Sequence, residues 1–236
     1  MKTQITTIAA AIALALSTAA SAQVASDSYI NQTGNDNVNN IEQYGHQESR
    51  VQQNGGNGNR ATVTQDDVIG SAPTPFGTAN VSTIDQHGHE NDTTVSQVGY
   101  GNDSYAMQRG NGNEATITQR GDANESVSNT DGHNNEVMVS QKGDMNDSTI
   151  NIHGNDNYAD VSQNGDELLS VIENQAGYNN EYKVMQSGDR HDSYIFTNGS
   201  DNYQQVSQSA LYTQNAHKSV IQTYGNGNHN VVTQAR

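Results

Sequence analysis

Apolar and polar residues alternate along this chain in a pattern that repeats every 11 residues. Counted from a glutamine as position 0, the unit reads Q-x-G-x-x-N-x-(S/A)-x-(V/I)-x-Q, and the last glutamine begins the next unit. The clearest copies are Gln86–Gln97, Gln97–Gln108 and Gln108–Gln119. About 17 full units follow an opening half unit at Gln23–Gln32. A period of this kind predicts a repeat architecture.

Within each unit, positions 5, 7, 9 and 11 carry asparagine, serine or alanine, valine or isoleucine, and glutamine. Alternate positions of a strand share one face, and positions 6, 8 and 10 hold mostly charged and hydroxyl residues, which suit the solvated face. Positions 1–4 are rich in glycine, asparagine and aspartate, the residues of tight turns. Each unit is therefore expected to form a strand of about six residues and a turn.

One such strand cannot cover its own apolar face, so two units are expected to fold as a 22-residue strand–turn–strand rung. About nine rungs would stack in parallel register at a spacing of about 4.8 Å. The predicted fold class is all-β, a cross-β solenoid of stacked strand–turn–strand rungs. Stacking places like residues over like residues, so each buried amide can donate to one rung and accept from the other.

The predicted structural amide ladder takes in the asparagines and glutamines at positions 0, 5 and 11. Its members are Gln32, Asn37, Gln43, Gln53, Asn59, Gln65, Gln86, Asn91, Gln97, Asn102, Gln108, Asn113, Gln119, Asn124, Asn135, Gln141, Asn146, Asn157, Gln163, Gln175, Asn180, Gln186, Asn202, Gln208, Asn228 and Gln234. The predicted turn glycines at position 2 are Gly34, Gly45, Gly55, Gly77, Gly88, Gly99, Gly110, Gly121, Gly132, Gly143, Gly154, Gly165, Gly177, Gly188, Gly199 and Gly225. A buried amide without a partner is costly, and the ladder would supply the partner.

Two interruptions break the period. Residues 66–74 are predicted to be a loop insertion next to a degenerate unit at Pro75–Gln86, and a shorter break is predicted at residues 209–211. The only two prolines, Pro73 and Pro75, lie in or beside the first insertion. Proline cannot donate a hydrogen bond to a strand ladder, which fits a loop there.

The first 22 residues have the features of a secretory signal peptide. Lys2 provides a short positive region, Ile5–Leu16 an apolar region, and Ala20–Ala22 a small-residue cleavage pattern. An uncleaved membrane anchor is the alternative, but the apolar run is shorter than the ~20 residues that span a bilayer. We therefore expect cleavage before Gln23 and a repeat domain over residues 23–236.

Composition alone would indicate disorder, because only 31% of the residues are hydrophobic while 31 are Asn, 22 are Gln and 22 are Gly. The repeat changes this interpretation, since it assigns these residues to ladders and turns. The net charge of −16 disfavours nucleic acid and anionic membranes as partners. The absence of cysteine excludes disulfides and thiolate chemistry.

Candidate metal ligands and catalytic groups are weak. In the proposed stack His89 and His133 lie two rungs apart, or about 9.6 Å, which is too far to share a zinc ion with bonds of about 2.0–2.1 Å. Calcium-binding β-rolls repeat every nine residues with a fixed aspartate, unlike this chain. No nucleophile–base pair, phosphate-binding loop or pair of carboxylates in a cleft is found in the sequence. We expect no metal, no cofactor, no catalytic residues and no enzymatic activity.

The repeat resembles that of the curlin family, the subunits of bacterial curli amyloid fibres. That family's repeat is Ser, five residues, Gln-x-Gly-x-x-Asn-x-Ala, and then Gln, and it is matched by Ser104–Gln119. Gln53–Gln65 and Ile152–Gln163 match its central part. The resemblance covers nearly all of the expected mature chain. It implies a secreted subunit that polymerises head to tail into cross-β fibres of the biofilm matrix and serves adhesion.

The partners implied by the resemblance are further copies of the chain in an open-ended homopolymer, a nucleator subunit, and an outer-membrane secretion pore with periplasmic chaperones. The implied location is an extracellular fibre, or pilus, on the cell surface. One alternative is the nucleator role, for which a basic C-terminal end would be typical, and His217, Lys218 and Arg236 form only a weak one. A second alternative is a monomeric β-solenoid adhesin or binding module. We favour the fibre-forming subunit because the ladder residues continue to Gln234.

Overall fold

The computed structural model describes residues 26–66, 79–210 and 216–235. Across these ranges the chain forms 18 β-strands, and no helix there is long and apolar enough to cross a membrane. The strands are β1 (Asp27–Gln32), β2 (Val38–Tyr44), β3 (Gln47–Asn54), β4 (Arg60–Asp66), β5 (Asn80–His87), β6 (Asp92–Val98), β7 (Asp103–Asn111), β8 (Glu114–Arg120), β9 (Glu125–His133), β10 (Glu136–Lys142), β11 (Asp147–His153), β12 (Tyr158–Asn164), β13 (Leu169–Ala176), β14 (Glu181–Ser187), β15 (Asp192–Asn198), β16 (Tyr203–Ser209), β17 (Lys218–Tyr224) and β18 (His229–Ala235). The predicted signal peptide, most of the first insertion and Gly77 lie outside the described residues.

Successive strands alternate between two nine-stranded sheets. The odd sheet contains the odd-numbered strands in chain order, and the even sheet contains the even-numbered strands in the same order. All neighbouring strands within a sheet are parallel. One odd strand and the following even strand form a rung, so the chain winds through nine rungs. This confirms the all-β solenoid that the 11-residue period predicts.

The core is a thin apolar layer between the two sheets. In β8, for example, burial alternates along the strand, with Ala115, Ile117 and Gln119 inside. The residues at position 9 form two columns. In the odd sheet they are Val51, Ile84, Ala106, Ser128, Ile150, Ile172, Ile195 and Ile221, and in the even sheet they are Val63, Val95, Ile117, Val139, Val161, Val184 and Val206. Full burial of one Val or Ile side chain contributes about 1.5–3 kcal/mol to the free energy of folding. This layer therefore supplies the hydrophobic contribution to stability.

The first insertion separates β4 from β5 without disturbing the stack. Gln53 and Gln86 are neighbours in the odd sheet although 33 residues separate them, compared with 22 for Gln119 and Gln141. Asp66 still pairs with Val98 in the even sheet. Gln65 and Gln97 are likewise separated by 32 residues, so ten extra residues lie after Asp66 and before β5, and one lies in the unit Gln53–Gln65.

The second insertion lies slightly later than the predicted break at residues 209–211. Ser209 pairs with Ser187, and the backbone N–H of Ala210 donates to the Ser187 carbonyl at 3.0 Å. These two residues therefore keep the register of β16. The sequence separation between Gln208 and Gln234 is 26 residues, so the extra residues fall between Ala210 and β17.

Candidate assembly interface

A continuous ladder of nine glutamines runs the whole length of the even sheet. Gln97 Nε2 donates to Gln119 Oε1 at 2.8 Å, and the carbonyls of Val81 and Asn102, at 2.9 and 3.1 Å, share its second hydrogen. The same side-chain bond, at 2.7–3.0 Å, joins every neighbouring pair of Gln43, Gln65, Gln97, Gln119, Gln141, Gln163, Gln186, Gln208 and Gln234. Each glutamine donates towards the C-terminal end of the stack.

A second continuous ladder consists of nine asparagines in the forward turns, which lead from each odd strand into the following even strand. The backbone N–H and Nδ2 of Asn113 both donate to Asn91 Oδ1 at 3.1 Å, and Nδ2 also donates to the Gly132 carbonyl at 2.9 Å. The members are Asn37, Asn59, Asn91, Asn113, Asn135, Asn157, Asn180, Asn202 and Asn228. Their carbonyl oxygens face the C-terminal end, opposite to those of the glutamines.

The other two predicted ladders cover only part of the stack. In the odd sheet Gln53 donates to Gln86 and Gln86 to Gln108, at 2.8 and 3.0 Å. The same column then continues through Thr130, Ile152, Asn174, Thr197 and Thr223. In the return turns, which lead from even to odd strands, the ladder of Asn102, Asn124 and Asn146 gives way to Leu168, His191 and His217. The full-length ladders therefore lie on the even sheet and the forward turns.

Two predicted residues are replaced by a neighbour. Gln175 is exposed, because the register shifts between Asn174 and Ala176, and Asn174 takes the inward position instead. Gly55 has open space around it, and Gly56 stacks on the next glycine of the forward turns. In both places the unit has 12 residues rather than 11, and the backbone places the extra residue outside the ladder.

Sequence reasoning missed two ladder members in the return turns. Asn102 Nδ2 donates to Asn80 Oδ1 at 2.9 Å, and the backbone N–H of Asn80 donates to Gln47 Oε1 at 3.1 Å. Asn80 belongs to the degenerate unit after the first insertion, and Gln47 to a unit that is one residue short. Aligning Asn80 with the asparagines of later units would have identified it.

Position 3 of the turns carries a further ladder that the consensus does not contain. In the forward turns the side chain accepts from the backbone N–H of the preceding rung, as His89 Nδ1 does from Asn57 and His133 Nδ1 from Asn111, both at 3.1 Å. In the return turns Asp122, Asp144, Asp166 and Asp189 accept in the same way. These bonds give the turn histidines and aspartates a structural role. Within the three described ranges no three His, Cys, Asp or Glu residues are grouped to hold a metal ion.

The turn glycines are required by close contact between rungs. Gly132 has φ +142°, and a Cβ atom there would lie 1.7 Å from the Gly154 carbonyl oxygen. Every predicted turn glycine in the described ranges has a positive φ. At the last rung Gly225 has φ +103° but only Asn228 Nδ2, at 3.9 Å, near its missing Cβ. The crowding at this position thus arises from the next rung.

Carboxylates follow one another on the outer face of the odd sheet. Asp103, Glu125 and Asp147 occupy equivalent positions of three adjacent strands. Partial burial and, secondly, the charge of Glu125 raise the pKa of Asp103 and of Asp147 above the ordinary aspartate value. This column therefore carries unfavourable charge at neutral pH.

Lowering the pH is expected to strengthen this part of the fold. Because the folded-state pKa of Asp103 is raised, the folded state binds more protons, and stability rises as the pH falls through that value towards 3.8. Asp103→Asn should therefore be more stable than the wild type at pH 7, and the difference should shrink near pH 4. Urea unfolding at both pH values measures it. Asp36→Asn, in an exposed turn next to Gly58, is the matched control.

Asn174 is expected to be a weak point inside the stack. Both polar atoms of its side chain are buried and have no hydrogen-bond partner among the described residues, and its column neighbours are Ile152 and Thr197. Asn174→Val should raise the free energy of unfolding by about 1 kcal/mol, since it removes unpaired polar atoms. Gln141→Leu, in the continuous ladder, should instead lower it by about 2–3 kcal/mol. Equal effects of the two substitutions in urea unfolding would contradict this interpretation.

The two ends of the described stack are open sheet edges. β1 and β2 form one end, and β17 and β18 the other, each with a neighbour on one side only. The glutamine ladder ends in Gln43 Oε1 at the first rung and in Gln234 Nε2 at the last. An unprotected edge is a template for another strand.

The comparisons with known proteins agree with this geometry. The family model described as the Curlin associated repeat matches residues 88–121, 110–143 and 132–165. The three matches begin at Gly88, Gly110 and Gly132, which are stacked glycines of successive forward turns. No curated protein matches the chain. The architecture is that of a repeat β-solenoid with open ends. The match spans residues 88–165 and confirms, over that range, the curlin repeat resemblance seen in the sequence.

Proposed function

We propose that the chain is a secreted structural subunit that stacks end to end into curli-like fibres of the cell surface. The observation that carries this proposal is the match between the two open ends. The last rung presents Gln234 Nε2 as a donor, and the first rung presents Gln43 Oε1 as an acceptor. A second copy placed one rung beyond the first would continue the ladder.

The asparagine ladder would also continue across the junction, with its donors facing the opposite way to those of the glutamines. Inside the chain Asn59 donates to Asn37 Oδ1, and Asn228 donates to Asn202 Oδ1. At a junction Asn37 of the next copy would donate to Asn228 Oδ1. A head-to-head contact of two last rungs would instead make the paired strands antiparallel, so the two Gln234 side chains would lie near opposite ends and the ladder would not continue. The ladders therefore favour head-to-tail stacking.

Apolar burial at the ends is also incomplete in the single chain. Ile30, Ile41 and Val232 are only partly buried, whereas equivalent residues of inner rungs are fully buried. Continuing the register would place Ile30 on Ile221 and Ile41 on Val232. Because the contact joins different ends and does not close, repetition gives a filament.

The cellular setting is part of the proposal. Residues 1–22 would be removed as a signal peptide, and residues 23–236 would form the repeat domain, with loop insertions between Asp66 and β5 and between Ala210 and β17. Copies of the chain would be the main partner, together with a nucleator subunit, an outer-membrane pore and periplasmic chaperones. The extracellular fibre would serve adhesion and the biofilm matrix.

Polymerisation of the purified chain from residue 23 onwards tests the proposal. Thioflavin fluorescence should rise after a lag that seeds abolish, and electron microscopy should show unbranched fibres with a meridional spacing of about 4.8 Å. A chain that stays monomeric and dye-negative at micromolar concentration, with or without seeds, would contradict the proposal. That result would favour the monomeric adhesin.

A further inference from the structure

The acidic column on the outer face of the odd sheet ends in a cation. Position 6 of the nine odd strands is occupied, in order, by Asp27, Glu48, Val81, Asp103, Glu125, Asp147, Leu169, Asp192 and Lys218. Lys218 is exposed and is the only lysine or arginine in β1, β2, β17 and β18. In the described part of the chain its ammonium group makes no ion pair. The final rung thus carries a positive charge that has Asp192 on one side and an open sheet edge on the other.

The register of the chain determines what this charge would meet in a fibre, so the inference rests on the proposed function. Ser28 and Ser219 belong to one column, since every odd strand carries a serine at this position. Stacking Ser28 of the next copy on Ser219 places its Asp27 opposite Lys218. Neighbouring strands are about 4.8 Å apart, within reach of a lysine side chain. Glu48 of the next copy would lie one strand further.

We infer that Lys218 and Asp27 of the next copy form an ion pair that selects the register and the polarity of the junction. A slip of two residues along the strand would move Lys218 to Tyr29 and lose the pair. Contact between two last rungs would reverse the strand direction, so Lys218 would lie opposite the far end of the partner strand and away from any Asp27. Contact between two first rungs would likewise keep Asp27 away from any Lys218. Only the in-register head-to-tail junction pairs unlike charges. Such complementarity acts on association rate and on rejection of wrong contacts.

Charge-swapped variants test the inference. Lys218→Glu places two acids at each junction, and Asp27→Lys places two lysines there. Each variant alone should elongate about three- to tenfold more slowly than the wild type at low salt, and about 0.5 M NaCl should narrow the difference. An equimolar mixture should recover the wild-type rate, because alternation of the two variants restores unlike charges at every junction. The double variant Asp27→Lys/Lys218→Glu should also recover alone.

Matched controls change the same charge away from the ends. Arg120→Glu and Asp131→Lys lie on exposed outer positions of central strands. They should elongate at the wild-type rate, and mixing them should have no effect. Recovery in the mixture and in the double variant supports the ion pair. Slow elongation of both, or single variants that match their controls, would overturn it. A wild type that forms no fibres would contradict the proposed function instead.

Discussion

Gly225→Ala is expected to stop fibre growth, while the φ of +103° strains only the last rung and the monomer stays folded. Inside the chain, a Cβ atom on Gly199 would lie 2.0 Å from the Gly225 carbonyl oxygen, whereas one on Gly225 meets only Asn228 Nδ2 at 3.9 Å. In a head-to-tail junction Gly34 of the next copy would stand where Gly225 stands relative to Gly199. The added methyl group would then collide with its carbonyl oxygen, and backbone cannot move aside as a flexible side chain can.

The variant should act as a terminator of one end. Its first rung is unchanged, so it can add to the exposed last rung of a growing fibre, and its own last rung then accepts no further copy. Substoichiometric Gly225→Ala should therefore slow seeded wild-type growth, and the variant alone should form no fibres. Circular dichroism and urea unfolding check that the monomer is intact.

The control is Gly227→Asn in the same turn. Gly227 has φ +69° with open space around its Cβ position, and Asn134 and Asn179 adopt the equivalent conformation in other turns. Asparagine tolerates this left-handed region. Normal fibre growth by Gly225→Ala, or equal loss in both variants, would show that the junction does not continue the internal stacking.

Gly132→Ala is expected to destabilise the monomer itself. The φ of +142° is strained for any residue with a side chain, and the methyl group would lie 1.7 Å from the Gly154 carbonyl oxygen of the next rung. Relief requires separation of two rungs in the centre of the stack, which would break both full-length ladders there. We expect a loss of at least about 3 kcal/mol in the free energy of unfolding.

Gly58→Asn is the matched comparison for this substitution. Gly58 has φ +74°, its Cβ position is 3.6 Å from Glu90 Cγ, and Asp36 and Glu90 occupy the same place in adjacent rungs. The loss there should stay below about 1 kcal/mol. Urea denaturation of both variants gives the two values. Similar losses would show that positive φ alone selects glycine at position 2, and that stacking against the next rung does not.

The repeat period was sufficient to predict the strands, the two sheets and their parallel register. This succeeded because neighbours in the stack are copies of one another, so the contact of one rung predicts the contacts of the rest. Gln97 and Gln119 occupy equivalent positions of the repeat, and the ladder bond between them follows from translation alone.

The errors occur where the copies differ in length. The 12-residue unit from Gln163 to Gln175 gives no indication of which residue leaves the ladder, and the structure shows that Gln175 does so while Asn174 stays inside. In the unit Gln53–Gln65 the sequence likewise does not indicate whether Gly55 or Gly56 stacks on the next rung, and the structure shows that Gly56 does. The position-3 ladder was missed for another reason. His89, Asn111 and Asp122 each supply a side-chain acceptor atom, but they are residues of different types.

The opposed directions of the two full-length ladders have a consequence for growth. Glutamine carbonyls face the first rung and asparagine carbonyls face the last, so their dipoles oppose one another along the stack. A column of amides all pointing one way would build an axial field that grows with every added copy, as aligned peptide units do in a helix. Here the side-chain contributions offset each other within each rung. The affinity of a fibre end for the next copy should therefore be the same for a short fibre and a long one.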